Sequence, residues 1–281
     1  MKLLKAFVAV TFVASAPATG QDAQQRVEWN RPFESFRIAD NVHYVGTAGL
    51  AAYLITDPAG HVLIDGGLPE SAPLIAANIR QLGFRVEDVR YLLINHAHAD
   101  HSGGLAELKR LSGAQLVASA GDRADLESGR VAGRPQILSA PPVQVDRIVR
   151  DGETIRLGAN RLTANLTPGH TRGCTSWSYR SRERTYLFAC SLSVAGQNLI
   201  DDPTYPHAAA DFARSFARLQ RMRADVFLTF HPGFFDMEAR RARQRAGDEA
   251  AFVDRSELQR QVARARNAFE TELAAQRQKR P

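Results

Sequence analysis

Residues 91–101 read Tyr91-Leu92-Leu93-Ile94-Asn95-His96-Ala97-His98-Ala99-Asp100-His101. The first five have the pattern of a buried strand, and the next six carry four side chains able to bind a metal. His96 and His98 are two apart, so in extended or turning backbone they point the same way. Asp100 and His101 follow at once and cannot both point with them. That spacing suits two adjacent metals better than one. Three His and one Asp in six residues are a poor match to an ordinary polar loop. A structural zinc site is usually closed and rich in Cys, which this stretch lacks.

The flanking sequence alternates between strand and helix patterns. Residues 42–56 and 61–65 are apolar runs split by Asp57-Pro58-Ala59-Gly60, a strand–turn–strand signal. Leu74, Ile75, Ile79 and Leu82 predict a helix over 70–82, with Gly83 suited to its cap. Strands are expected at 89–94 and 115–118, a helix from 105, and a loop with a short helix over 121–142. Further on, 147–157, 161–166, 176–180 and 185–189 are strand-like, 208–222 is helical, and 226–230 is a short strand. Asp254 and Glu257 suggest a capping box, followed by a stripe of Leu258, Val262, Ala265, Phe269 and Leu273. Two similar halves of alternating strands and helices predict a layered α/β sandwich with helices outside.

Two more histidines occupy distinctive turns, Thr167-Pro168-Gly169-His170-Thr171 and His231-Pro232-Gly233. Both follow expected strands, as the 96–101 cluster does, and in layered α/β folds such strand ends gather into one site. Together the six candidates are His96, His98, Asp100, His101, His170 and His231. They divide into three per metal, leaving positions open for water and substrate. His43, His61 and His207 lack such context; His43 and His61 read as structural or surface residues, and His207, just before a helix, could line the pocket.

The chain has 281 residues and a formal net charge of +6. It opens with Met1-Lys2-Leu3-Leu4-Lys5, an apolar run over 6–14 and then small residues, the layout of a secretory signal ending before Gln21. The run is too short to span a bilayer. The expectation is a signal peptide over 1–20 and a single soluble, exported domain over 21–281. The positive charge is not gathered in one block and accompanies no nucleic-acid module, although it would favour anionic substrates. Cys174 and Cys190 flank the expected hairpin. If Arg180 pairs with Thr185, the partners of Cys174 fall near residues 190–191. A disulfide, two buried thiols and a metal-binding Cys190 all remain open.

The motifs His96-x-His98-x-Asp100-His101, Thr167-Pro168-Gly169-His170 and His231-Pro232 resemble those of the metallo-β-lactamase superfamily, from about residue 35 to the C-terminus. The chain is most similar to subclass B3. The opening residues of the cluster are histidines, Ser191-Leu192-Ser193 follows the hairpin, and Pro203-Thr204-Tyr205-Pro206-His207 leads into Asp211-Phe212 and Ser215-Phe216. The resemblance implies a four-layer αβ/βα sandwich and a periplasmic enzyme. It implies zinc-dependent opening of the β-lactam ring of penicillins, cephalosporins and carbapenems, conferring antibiotic resistance. It also implies two Zn²⁺ per chain: His96, His98 and His170 hold the first, and Asp100, His101 and His231 the second. A metal-bound hydroxide attacks the carbonyl, and Asp100 orients that water as well as binding metal. Ser191 and Ser193 contact the substrate carboxylate; as residues alone they read equally well as loop serines.

The expected partner is a small β-lactam, with no nucleic acid and no membrane for the mature form, and a monomer is favoured. The alternative is a lactonase, thioesterase or phosphoesterase on the same scaffold. Phe188-Ala189-Cys190-Ser191 lacks the Asp that many superfamily hydrolases place there, which argues against a glyoxalase II-like thioesterase. A zinc-binding protein with an inert site is the non-enzyme reading.

Overall fold

The computed structural model describes residues 19–279. The signal peptide expected over 1–20 therefore lies, apart from its last two residues, outside the described residues. The chain enters through α1 (Thr19–Trp29). A seven-stranded sheet follows in the order β1 (Phe36–Ala39), β2 (Val42–Tyr44), β3 (Tyr53–Ile55), β4 (His61–Ile64), β5 (Val89–Leu93), β6 (Gln115–Ser119) and β7 (Arg147–Val149). Pairing is antiparallel from β1 to β4 and parallel from β4 to β7. Parallel neighbours need crossovers, and these carry α2 (Ala72–Gln81), α3 (Ala99–Ser102), α4 (Leu105–Ser112) and α5 (Ala120–Ser128).

The second sheet has five strands: β8 (Thr154–Leu157), β9 (Asn160–Leu166), β10 (Thr175–Arg180), β11 (Thr185–Phe188) and β12 (Val226–Leu228), in the order β12-β11-β10-β9-β8. Only the β11–β12 pair is parallel, and α6 (Ala208–Arg221) makes its crossover. Helices α7 (Met237–Arg245) and α8 (Glu257–Gln278) complete the chain.

Register decides what each face buries. Tyr44 pairs with Tyr53, Tyr53 with Ile64, Ile64 with Leu93 and Leu93 with Val117, so these residues line one face. They meet Leu162, Ala164, Trp177, Tyr179, Tyr186 and Phe188 of the other sheet in a shared core. The opposite face of the first sheet presents Leu54, Leu63, Leu92 and Leu116 to Ile75 and Ile79 of α2 and Leu105 and Leu108 of α4. Phe212 and Phe216 of α6 pack on Phe269 of α8 outside the second sheet. The architecture is the four-layer αβ/βα sandwich.

Three local expectations change. The run 147–157 is not one strand: Gly152, at φ +76°, turns the chain, so β7 closes one sheet and β8 opens the other. The halves are therefore unequal, seven strands against five. The run 42–56 breaks into β2 and β3 around a loop. The capping box does not form. Asp254 Oδ1 accepts from the Ser256 backbone N–H at 3.0 Å, while the Glu257 carboxylate is drawn to Arg240, 3.0 Å away in a buried pair. The stripe behind it does face the core, with Leu258, Val262 and Phe269 buried.

Arg180 does pair with Thr185, and Cys174 and Cys190 are joined in a disulfide with Cα atoms 5.9 Å apart. Neither sulfur is then free to ligate a metal. Among the described residues, no helix is long and apolar enough to cross a membrane.

Trp177 links the layers directly. It is fully buried, and its indole N–H donates to the Ile94 carbonyl at 3.1 Å, one residue before Asn95. Trp177→Ala removes the largest buried side chain and leaves that carbonyl unpaired. The expected cost is about 3–5 kcal/mol, read from the denaturant midpoint; a loss below about 1 kcal/mol contradicts this role.

Candidate metal centre

All six candidate ligands stand just beyond strand ends. His96 and His98 follow β5, Asp100 and His101 lie in the short α3, His170 follows β9 and His231 follows β12. Both sheets thus supply the centre. The structure sorts the six into the two expected groups. The ligand atoms of His96, His98 and His170 lie within 4.8 Å of one another, and so do those of Asp100, His101 and His231.

In the first group the ring centroids are 4.6–4.7 Å apart and all three residues are buried. His96 Nδ1 is engaged by Asn95 Oδ1, and His170 Nδ1 lies 2.7 Å from the Ser193 carbonyl oxygen. These contacts turn the Nε2 atoms of both rings inward. His170 Nε2 lies 3.1 Å from His98 Nδ1, whereas His96 Nε2 is buried with no partner. Burial pushes the His170 ring down to about 4 and His96 and His98 well below the usual imidazole value. Neutral imidazoles with converging lone pairs repel unless a cation lies among them, and neutral imidazole is the form that binds metal. The donor set fits a divalent ion.

The second group has a different balance. Asp100 Oδ2 is 3.2 Å from His101 Nε2 and 3.3 Å from His231 Nε2. The His101 Nδ1 is 2.9 Å from Asp65 Oδ2. Burial lowers the His101 pKa, but Asp100 and Asp65 overcome it and raise the ring to about 10. Burial works against the Asp100 charge, yet His101 and His231 hold that carboxyl well below its ordinary range. The His231 ring sits against Trp29, centroids 5.3 Å apart, and Phe234, 5.9 Å away.

Several supporting residues escape the sequence reading. Asp65 directly follows β4 with a left-handed backbone, φ +63°. It accepts from the Asn95 backbone N–H at 2.9 Å and also from the Asn95 side chain. Full burial raises its pKa to about 6. Its only sequence signal is an acidic residue closing an apolar strand before Gly66-Gly67. A carboxylate behind a ligand histidine sets its tautomer and orientation. Asp122, near the start of α5, accepts from Ala97 N at 3.0 Å, Thr171 Oγ1 at 3.1 Å and Gly173 N at 2.9 Å. It fastens the loop carrying His96 and His98 to the loop carrying His170. The approach is so close that a Cβ on Gly173 would fall 2.4 Å from Asp122 N. No local signal marks Asp122, because its partners are 25 to 51 residues away in sequence.

Ser191 and Ser193 lie with their hydroxyls 3.1 Å apart. They line a cleft of about 580 Å3 that also takes in His101, His231, Phe234 and Arg264 of α8. His43 and His61 are packed on Phe84 instead, and His207 is exposed.

Two outcomes follow for metal titration. Asp122→Asn replaces an acceptor of three hydrogen bonds by an amide that brings its own donor. Affinity at the first group should fall about 10–100-fold, with the second group unchanged in cobalt spectra; equal losses at both contradict the assignment. In the metal-free protein His101 keeps its proton near neutral pH, below its value of about 10, whereas His170 is neutral above about 4. A metal must displace the His101 proton. Filling the second group should release one more proton than filling the first, and its affinity should rise with pH up to about 10. Calorimetry in buffers of different ionisation heat measures this, and equal proton release contradicts it.

A family model described as the metallo-β-lactamase superfamily matches residues 48–231. Among solved structures, a metallo-β-lactamase with a HARLDQ motif from Cronobacter sakazakii is 42% identical, with TM-score 0.88; the match covers 90% of this chain and 99% of that one. A subclass B3 metallo-β-lactamase of Bradyrhizobium japonicum is 40% identical, with TM-score 0.85 and coverage of 89% and 97%. Among curated relatives, a hydroxyacylglutathione hydrolase of Rhodopseudomonas palustris is 31% identical over 154 residues, 55% of this chain and 52% of the relative. The chain thus spans about half the length of the curated relatives it matches. It belongs to the metallo-β-lactamase superfamily, and it resembles subclass B3 members across nearly their whole length.

Proposed function

We propose that this protein opens the β-lactam ring of penicillins, cephalosporins and carbapenems by zinc-dependent hydrolysis. The observation that carries the reading is the pair of three-ligand groups, the second of which opens through His101 and His231 onto a cleft bearing two serine hydroxyls. It is supported by the 40% identity to a subclass B3 enzyme along 97% of its length. His96, His98 and His170 would hold one Zn²⁺, and Asp100, His101 and His231 a second. When bound, zinc brings the pKa of water toward neutrality and polarises a carbonyl.

The chain's own residues do the rest. Asn95 and the Ser193 carbonyl fix the first-group rings, and Asp65 fixes His101. Asp100 would orient water as well as bind metal. Ser191 and Ser193 would donate to the substrate carboxylate, with Phe230 and Phe234 lining the apolar side of the cleft. A leader over residues 1–20 would export the enzyme to the periplasm, where β-lactams act, so that hydrolysis confers resistance.

The curated relatives favour a second reading, a thioesterase acting on hydroxyacyl-glutathione. Against it, the β11 end has Cys190, locked in a disulfide, rather than an Asp.

Hydrolysis of a carbapenem, a chromogenic cephalosporin and a hydroxyacyl-glutathione thioester decides between them. The expected result is turnover of the β-lactams that a chelator abolishes and zinc restores. Turnover of the thioester alone overturns the proposal.

A further inference from the structure

The disulfide lies directly behind the first group. Cys174 and Cys190 are both buried, and Cys190 Sγ is 3.7 Å from His96 Nδ1. It is also 3.3 Å from the Asn95 carbonyl oxygen and 3.5 Å from Asn95 Oδ1. The ligand atoms of His96, Cys174 and Cys190 lie within 4.8 Å of one another. In tetrahedral zinc, bonds of about 2.3 Å to sulfur and 2.0–2.1 Å to nitrogen place the two donors about 3.6 Å apart. Three donors of the right type are thus already adjacent, with Cys190 Sγ and His96 Nδ1 near the spacing a shared ion needs, while the two sulfurs are held at bonding distance and must move apart once the S–S bond is cut.

We propose that reducing this disulfide unmasks a third metal site, His96–Cys174–Cys190, which takes a thiophilic divalent cation. In the oxidised protein the disulfide keeps two thiolates from competing for His96. A phosphine reductant attacks one sulfur and breaks the S–S bond. Phosphorus supplies two electrons, water supplies the oxygen of the phosphine oxide, and the two protons of that water end on the two thiols. Metal binding then forms two metal–sulfur bonds and releases both thiol protons.

His96 is the point of conflict. A neutral imidazole has one lone pair and one N–H. Its Nε2 faces the first group, and its Nδ1 is engaged by Asn95 Oδ1 with Cys190 Sγ 3.7 Å away, so ligation through Nδ1 must also break the Asn95 contact. Ligation through Nδ1 puts the proton on Nε2 and withdraws His96 from the first group. Soft cations prefer thiolate to imidazole, so capture by the sulfurs dismantles that group. The site depends on the sulfur and nitrogen positions and not on the choice of substrate.

The probe is Cd²⁺ alone, titrated into the oxidised chain and into the phosphine-reduced chain. The readout is the ultraviolet thiolate-to-cadmium charge-transfer band. The band should appear only after reduction and saturate with one thiolate-bound ion per chain. Cys190→Ser should abolish it. His98→Ala, which breaks the first group but spares this site, should keep it, and His96→Ala should weaken cadmium affinity about 10-fold or more. A reduced chain that shows no band, a band indifferent to His96→Ala, or loss of far-ultraviolet circular dichroism on reduction overturns the proposal. Because the readout is spectroscopic, it stands apart from whether β-lactams are hydrolysed.

Discussion

Five imidazoles and a carboxylate crowd the ends of three strands, mostly away from water, and the fold must hold them there against their mutual repulsion. Each buried ring needs one nitrogen tied down so that the other is aimed. Asn95 ties His96, the Ser193 carbonyl ties His170 and Asp65 ties His101. Asp122 acts on the loops instead, accepting from the backbone of residues 97 and 173 and from the Thr171 hydroxyl. Remove these contacts and the same six side chains lose the geometry that suits a metal.

The rest of the sandwich serves that constraint. Ligands come from both sheets, so the sheets must be locked in register with each other. Trp177 does this where it matters, because its N–H reaches the carbonyl of Ile94 just ahead of the histidines. Within the second sheet, the disulfide ties the residue before β10 to the segment after β11. Ser191 and Ser193 follow immediately, so the position of the serines is coupled to the position of the first group. The two groups also differ electrically. The first is three imidazoles made neutral by burial, and the second is a charged His101 held between Asp65 and Asp100. The two groups would therefore offer a cation two different environments.

Much was legible in the sequence because it depends on local chemistry. The ligand motif is compact, periodicity marks α2 and α8, and the hairpin register follows from Arg180 opposite Thr185. The errors fell where a neighbour overrode a local signal. Arg240 drew Glu257 out of its expected cap, and a turn at Gly152 assigned one apolar run to two sheets.

The sequence by itself determined which residues could hold metal, and its resemblance to a known family implied how they divide into two sets and which fold presents them. The candidates stand out through residue type and spacing within three short motifs. Only the tertiary structure decided that Asp65 and Asp122 support the centre and that both cysteines are spent in a disulfide beside His96. Those contacts span 16 to 51 residues of chain. They form between strand ends and loops brought together by packing of the two sheets, and no local pattern records which distant partner a buried carboxylate or thiol will meet.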